Sequence, residues 1–315
     1  MLHKRLCVLA LLLLCVCVAG YLLLGSRGNW GFVLSFRGNK LVALLLVAVS
    51  VSTATVLFQT VTQNHILTPA IMGFDALYLL ILSVSVFVLG AQQFVHLSET
   101  GRFLLNTTLM MGAALMLFGT LLGRARSDLF RMILTGIIFA GLFRSITGFI
   151  QRMIDPNDYV VVQFSSFARF SRINLPLLAI AAALTFAGCF AAWRMRHRLD
   201  VLALGSDAAT NLGVNPREGM FQVLFVVSVL VSVSTALVGP LAFLGLLVVS
   251  VARQITPTET HGLLLPSAAL VCAITLVGGQ LVLEHLLNLN TPLIVVVDMI
   301  GGLVFLGLLL RRKRR

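Results

Sequence analysis

Charge is what this sequence has least of. Asp, Glu, Lys and Arg together make up 11% of its 315 residues, where an ordinary soluble domain has nearly a quarter. No polar block is long enough to fold as a separate soluble domain. No Gly-rich phosphate loop ending in Lys-Ser/Thr occurs, so the chain does not hydrolyse ATP by itself. Cys7, Cys15, Cys17, Cys189 and Cys272 all fall in apolar runs without metal-ligand spacing and read as small packing residues. His3, His65, His96, His197, His261 and His285 are scattered at predicted loop or span ends and read as interface histidines. With no clustered acid, base or metal set, a membrane enzyme or scaffold is the weakest reading.

What is present is apolar. The chain is 59% hydrophobic with a mean hydropathy of +1.02, which reads as an all-α polytopic membrane protein. About ten spans fit, at 6–24, 41–59, 70–90, 103–122, 131–150, 174–193, 220–238, 240–253, 263–283 and 292–310. One transmembrane domain accounts for 1–315. The eighth span is short and reads as a broken or tilted helix starting at Gly239-Pro240. The apolar run to Gly25 after His3-Lys4-Arg5 reads as a first span. A cleaved signal peptide is the alternative, with a poor site at Val18-Ala19-Gly20.

The net charge of +12 is no nucleic-acid signal, because no basic patch is interleaved with aromatics. It is a topology signal instead. With the N-terminus inside, the inner segments hold Lys4, Arg5, Arg124, Arg126, Arg131, Arg194, Arg196, Arg198, Arg217, Arg253 and the tail RRKRR. The outer segments hold Arg27, Arg37, Lys40, Arg102, Arg152, Arg169 and Arg172. That two-to-one bias puts both termini in the cytoplasm. Thr68-Pro69, Thr291-Pro292 and Thr256-Pro257-Thr258-Glu259 each read as a cap followed by a proline at a helix start.

The longest polar interruption is Trp193–Arg217, WRMRHRLDVLALGSDAATNLGVNPR, which the charge count makes cytoplasmic. Ser206 reads as the cap of a short helix that Gly213 ends. Asn215, Pro216 and Glu218 read as a second, reciprocally capped start. A connector that folds its own helices on the membrane face has something to dock against.

The sequence also echoes itself. SVSTA occurs at Ser50–Ala54 and again at Ser232–Ala236, in spans of opposite direction. Each echo is followed by a Gly- and Pro-containing start, TPAIMGF or GPLAFLG. Opposed echoes are the pattern of an inverted repeat; small hydroxylated residues also suit close helix packing.

Two ionisable residues fall inside spans, where charge is costly. Arg144 and Asp298 each lie about six residues from an outer end, roughly 9 Å deep at 1.5 Å per residue. Three readings stand: an Arg144–Asp298 pair, Arg144 facing a pathway for an anionic substrate, or Arg144 snorkelling outward. Asp75 reads as a solvated charge near the inner end of its span. Arg37 and Lys40 bracket the entry to the second span, either as interface anchors or as a socket for an acidic soluble partner.

LGSDAATNLGVNP, followed by a span and GPLAFLGLLVVSVAR, resembles the FecCD family, the permeases of binding-protein-dependent ABC importers for iron-siderophores, haem and vitamin B12. The resemblance takes in Arg37-x-x-Lys40, NHILTPAIMGFDALY at Asn64–Tyr78 and the TPLIVVVDMIGGLVF ending. The wording at Asn64–Tyr78 looks most like the ferric catecholate, anguibactin and petrobactin branch.

The resemblance implies an ATPase-coupling loop within 194–219, comprising Leu204, Gly205, Ser206, Asp207, Ala208, Ala209, Leu212, Gly213 and Val214. It implies binding-protein docking at Arg37 and Lys40, and a pathway by the fifth span with Arg144, Asp298, Gly239 and Pro240. The implied partners are ABC ATPase subunits that use ATP and Mg, a second permease (identical or related), a periplasmic or extracellular binding protein and membrane lipid. The implied location is the bacterial inner membrane. No cofactor or metal is expected on the chain itself. The sequence departs from the family at Lys40 for Arg, Val249-Ser250 for Pro-His and Gly301-Gly302 for Gly-x-Pro. Near the ninth-to-tenth loop, Glu284 and His285 stand where a third basic docking residue is expected. The other transport reading, a stand-alone secondary transporter for a small anionic metal chelate, is short of relay carboxylates, with only Asp298 and Asp75 in spans.

Overall fold

The computed structural model describes residues 2–24, 30–124, 129–166, 175–286 and 295–303, and among them it contains helices and no strand. The Thr291-Pro292 start, the 311–315 tail, Arg27, Arg126, Arg169 and Arg172 lie outside the described residues. Membrane-crossing helices run at α1 (Leu2–Leu23), α2 (Trp30–Val61), α3 (Asp75–Leu89), α5 (Glu99–Arg124), α6 (Leu129–Met153), α8 (Leu175–Arg194), α11 (Pro216–Val238) and α13 (His261–Leu281). Among the described residues, seven segments are long and apolar enough to cross alone; Val8–Leu23 and Leu244–Ile255 are shorter. Helical residues 295–303 supply part of the tenth.

Several borders differ from the sequence reading for local reasons. α2 starts at Trp30, well before residue 41, so Arg37 and Lys40 are helical rather than pre-helical. α5 starts at Glu99 rather than 103, where the Ser98 Oγ accepts the Gly101 N–H at 3.1 Å. The expected helix start at Thr256–Glu259 does not form one. Those residues make a turn, α13 begins at His261, and Glu259 is used by Arg253 at 2.8 Å. Asp200 caps α13 from another element, accepting the His261 N–H at 2.8 Å.

Three helices between the spans were not foreseen as such, α4 (Ala91–His96), α7 (Pro156–Ser166) and α9 (Arg196–Leu202), and the third span opens with a π-turn at Ala70–Phe74. α7 docks through Asp158, whose carboxylate accepts the Ala91 N–H of α4 at 3.3 Å. Its Ser165 carbonyl accepts the Tyr78 hydroxyl at 3.2 Å.

The opposed helices α2 and α11 form the centre, with α13 and α12 (Leu244–Ile255) against α2, and α5 and α8 against α11. Both echo segments are in this centre: Ser50, Ser52, Thr53, Ser232, Ser234 and Thr235 are all buried. The Ser50 and Thr185 hydroxyls meet at 3.0 Å, bonding α2 to α8. Outward faces are apolar, with Phe186 and Phe190 of α8 each 71% exposed. Such faces belong against lipid or another apolar chain.

α11 stops because Gly239 takes φ +91°, its N–H bonding Thr235 O at 2.7 Å, and Pro240 has no N–H to continue with. α12 begins only at Leu244, so the predicted break at Gly239-Pro240 spans five residues. At 12 residues, α12 is about 18 Å long, too short to cross alone.

Candidate functional site

Three places carry the candidate residues. The first is the folded connector after α8. α9 is anchored by buried Leu199 and Leu202, and Gly219 of α11 lets Leu202 approach where a side chain would collide. A short network ties α9 to the bundle. Asp200 Oδ1 meets His261 Nδ1 at 2.6 Å, and His261 Nε2 meets Thr60 Oγ1 of α2 at 2.6 Å. His261 is thus a buried structural partner and not an interface histidine.

α10 (Ser206–Asn211) follows, and Gly205, not Ser206, occupies its N-cap position; Ser206 is its first helical residue, with no side-chain cap bond. The C-terminal end is as expected and better defined. Val214 N–H bonds Ala209 O at 2.9 Å and Gly213 N–H bonds Thr210 O at 3.0 Å, with Gly213 at φ +79°. That bond pair closes a Schellman motif. Ala209 is fully buried, pinning α10 to α9 and α11, while Leu204 and Leu212 are 65% and 60% exposed. Asp207 and Gly213 are exposed as well, and Ala208, Gly205 and Val214 are half-buried. Asn215 is a true cap, accepting the Arg217 N–H at 3.2 Å, but the helix it opens is the span α11 itself. The two leucines give this polar turn an exposed apolar projection.

The second place is the start of α2. Arg37 does not face outward freely. Its guanidinium donates to Leu24 O at 2.6 Å and Tyr21 O at 3.2 Å, satisfying carbonyls at the end of α1. Lys40 is 8% exposed and ion-paired with Glu284, which also accepts the Gln280 side-chain N–H at 2.6 Å. His285 completes the cluster, its Nε2 at 2.7 Å from Leu24 O. The picture of two open cations is therefore corrected at Lys40. Because α2 starts early, position 40 faces α13 and its ammonium is taken by Glu284. Of the two residues that stand where a third docking cation is expected, Glu284 is this lysine's partner and His285 bonds Leu24 O.

The third place is the interior. Arg144 is exposed on α6. Among the described residues, Arg144 and Asp298 form no ion pair. Asp298 instead accepts the Phe243 N–H at 3.1 Å, capping α12 from the last helix. Gly301 lets that helix approach, since a Cβ there would lie 3.0 Å from Phe243 Cβ. Asp75 opens α3, as expected of a helix-start charge, but is half-buried rather than freely solvated. It lies within electrostatic range of both Arg144 and Asp298. It also lines a small, partly open cavity with Thr68-Pro69-Ala70 and with Leu241, Ala242 and Gly245. Sequence reading missed this because neither break reveals from spacing that it meets the other.

Known proteins resemble this arrangement over nearly its full length. Residues 7–311 match the FecCD transport family. The petrobactin import system permease protein YclO of Bacillus subtilis is 39% identical over 299 residues, 95% of each chain. The petrobactin import system permease protein FatC of Bacillus anthracis is 31% identical, over 89% of this chain and 79% of that one. An inward-facing structure of a metal-chelate type ABC transporter superimposes with a TM-score of 0.85. It covers 98% of this chain and 99% of its own at 21% identity, a likeness of fold.

Proposed function

The chain belongs to the FecCD transport family, and from that premise we propose that it is the permease subunit of a binding-protein-dependent ABC importer for an iron chelate. It is a transport subunit and not an enzyme, and ATP is hydrolysed by a separate ATPase. Two of the relatives carry petrobactin in their descriptions, and this supports a ferric siderophore of the anionic catecholate type as cargo. Arg144, exposed on α6, suits that cargo as an electrostatic attractor in a low-dielectric path.

The observation that carries the coupling role is the α9–α10 turn. It is held rigidly to α2, α11 and α13 through Asp200, His261 and Ala209, yet presents Leu204 and Leu212 to solvent. A push on those leucines reaches the central helices through buried contacts. The residues Leu204 to Val214 are the ATPase contact. A soluble binding protein docks at the opposite end, by Arg37 and by Lys40 if Glu284 releases it. A second permease, identical or related, completes the pathway beside α6. Family membership supports a place in the bacterial inner membrane, and the Lys/Arg distribution favours both termini in the cytoplasm. Gly239 and Pro240, which break the chain before α12, are pathway hinges. No cofactor is assigned to the chain itself.

The test is reconstitution with its ATPase and second permease. Leu204→Asp with Leu212→Asp should abolish ATPase association on a size-exclusion column while the chain still inserts in the membrane. Undiminished association would remove α10 as the contact.

A further inference from the structure

The cavity that holds Asp75 is built from both halves of the chain. Val51 and Thr55 of α2 line one side, and Val231, Ser234 and Thr235 of α11 line the other. These residues lie in or next to the two SVSTA echoes. Its ends are the two helix breaks, Thr68-Pro69-Ala70 and Leu241-Ala242. The volume is about 30 Å³, room for one ion or one or two waters and no organic ligand.

Two of the hydroxyls lining the cavity have already committed their protons elsewhere. Thr55 Oγ1 donates its proton to Val51 O at 2.7 Å, and Ser234 Oγ donates to Val231 O at 3.0 Å. A hydroxyl has one proton, so both oxygens keep only lone pairs for anything beside them. Thr68 is 2% exposed, and its Oγ1 has no partner among the described residues. Asp75 adds a carboxylate that makes no ion pair among the described residues, Arg144 acting on it only from beyond ion-pair distance. An unpaired carboxylate and an orphaned hydroxyl at membrane depth are both costly. A positive ion relieves all four groups at once. Oxygen-only ligands select a hard cation, and one carboxylate balances one charge.

We propose that this cavity binds one small monovalent cation of sodium size, held by the Asp75 carboxylate and the oxygens of Thr55, Thr68 and Ser234. The ion neutralises Asp75 and joins α2 to α11 across the two breaks. Gly245 leaves the room: a side chain there would overlap Thr55 Oγ1. The site stands on the cavity alone and needs nothing of the import reading.

The experiment is thermal unfolding of the full chain in detergent at constant ionic strength, with choline chloride replaced stepwise by sodium, potassium or lithium chloride. A saturable rise of about 2–4 °C in the midpoint is expected with sodium, as for any ligand that binds only the folded state. Thr68→Val, which keeps shape and removes the oxygen, should raise the half-saturating sodium concentration at least about fivefold; each tenfold would correspond to about 1.4 kcal/mol. Asp75→Asn should abolish the shift. If wild-type midpoints are the same in choline and every alkali cation, the cavity holds only water and the proposal is overturned. A sodium shift with unchanged half-saturation in Thr68→Val overturns it too, because the ion then sits elsewhere.

Discussion

Gly213 offers the cleanest perturbation of the turn proposed to couple to the ATPase. It sits at φ +79°, and a Cβ added there would meet nothing within 4 Å. Substituting alanine therefore changes backbone preference and nothing else. Holding an L-residue in the left-handed region costs about 1–2 kcal/mol, a shift of roughly 5–30-fold in the ratio of closed to open Schellman turn. The anchors that keep α10 formed are of similar size. The buried Ala209 methyl contributes about 0.8 kcal/mol, and six residues are too few for a helix to stand alone. Gly213→Ala should speed exchange of the Val214 amide, whose bond to Ala209 O closes the turn, by about that 5–30-fold. ATP-driven uptake should fall several-fold, and Gly213→Asn should recover most of it because Asn tolerates the left-handed region. The global melting temperature should barely move. Wild-type exchange in the alanine variant, or asparagine as damaging as alanine, would refute the reasoning.

Other perturbations follow from the same geometry. Lys40→Met strands a partly buried Glu284 and should cost about 1–3 kcal/mol, less than for a fully buried pair because Glu284 is 29% exposed. Adding Glu284→Met should restore most of the loss in a thermal double-mutant cycle. Arg144→Asp combined with Asp298→Arg should regain nothing over either single variant in an uptake assay, since Asp298 caps Phe243 and does not pair with Arg144. Asp298→Asn, which keeps an acceptor for that N–H, should hold more transport than Asp298→Leu. Arg144→Gln should raise the half-saturating chelate concentration while leaving the melting temperature unchanged, because the side chain is exposed.

Much of this architecture is legible in the chain. Apolar runs of membrane length, the Gly239-Pro240 break and the Gly213 stop are local signals, and the structure carries each of them. Local chemistry fails where a distant residue satisfies a helix end. Asp298 caps α12 and Asp200 caps α13, and neither relation leaves a trace in spacing. Lys40 misled for a related reason: its role depends on Glu284, 244 positions away. The expected Ser206 cap failed because Gly205 takes the N-cap position. The echoes hinted at two facing halves, but only the fold brings Thr55 and Ser234 to one cavity with Asp75.

The central claim is that this membrane chain moves an iron chelate only when an ATPase drives it through α10. The most direct measurement is uptake of a radiolabelled ferric catecholate into proteoliposomes, with the chain alone or with its second permease, ATPase and binding protein. Uptake should appear only in the full assembly with ATP on the ATPase side, and should be lost when Leu204 and Leu212 are both aspartate. Uptake by the chain alone, driven by a proton gradient without ATP, would contradict the account.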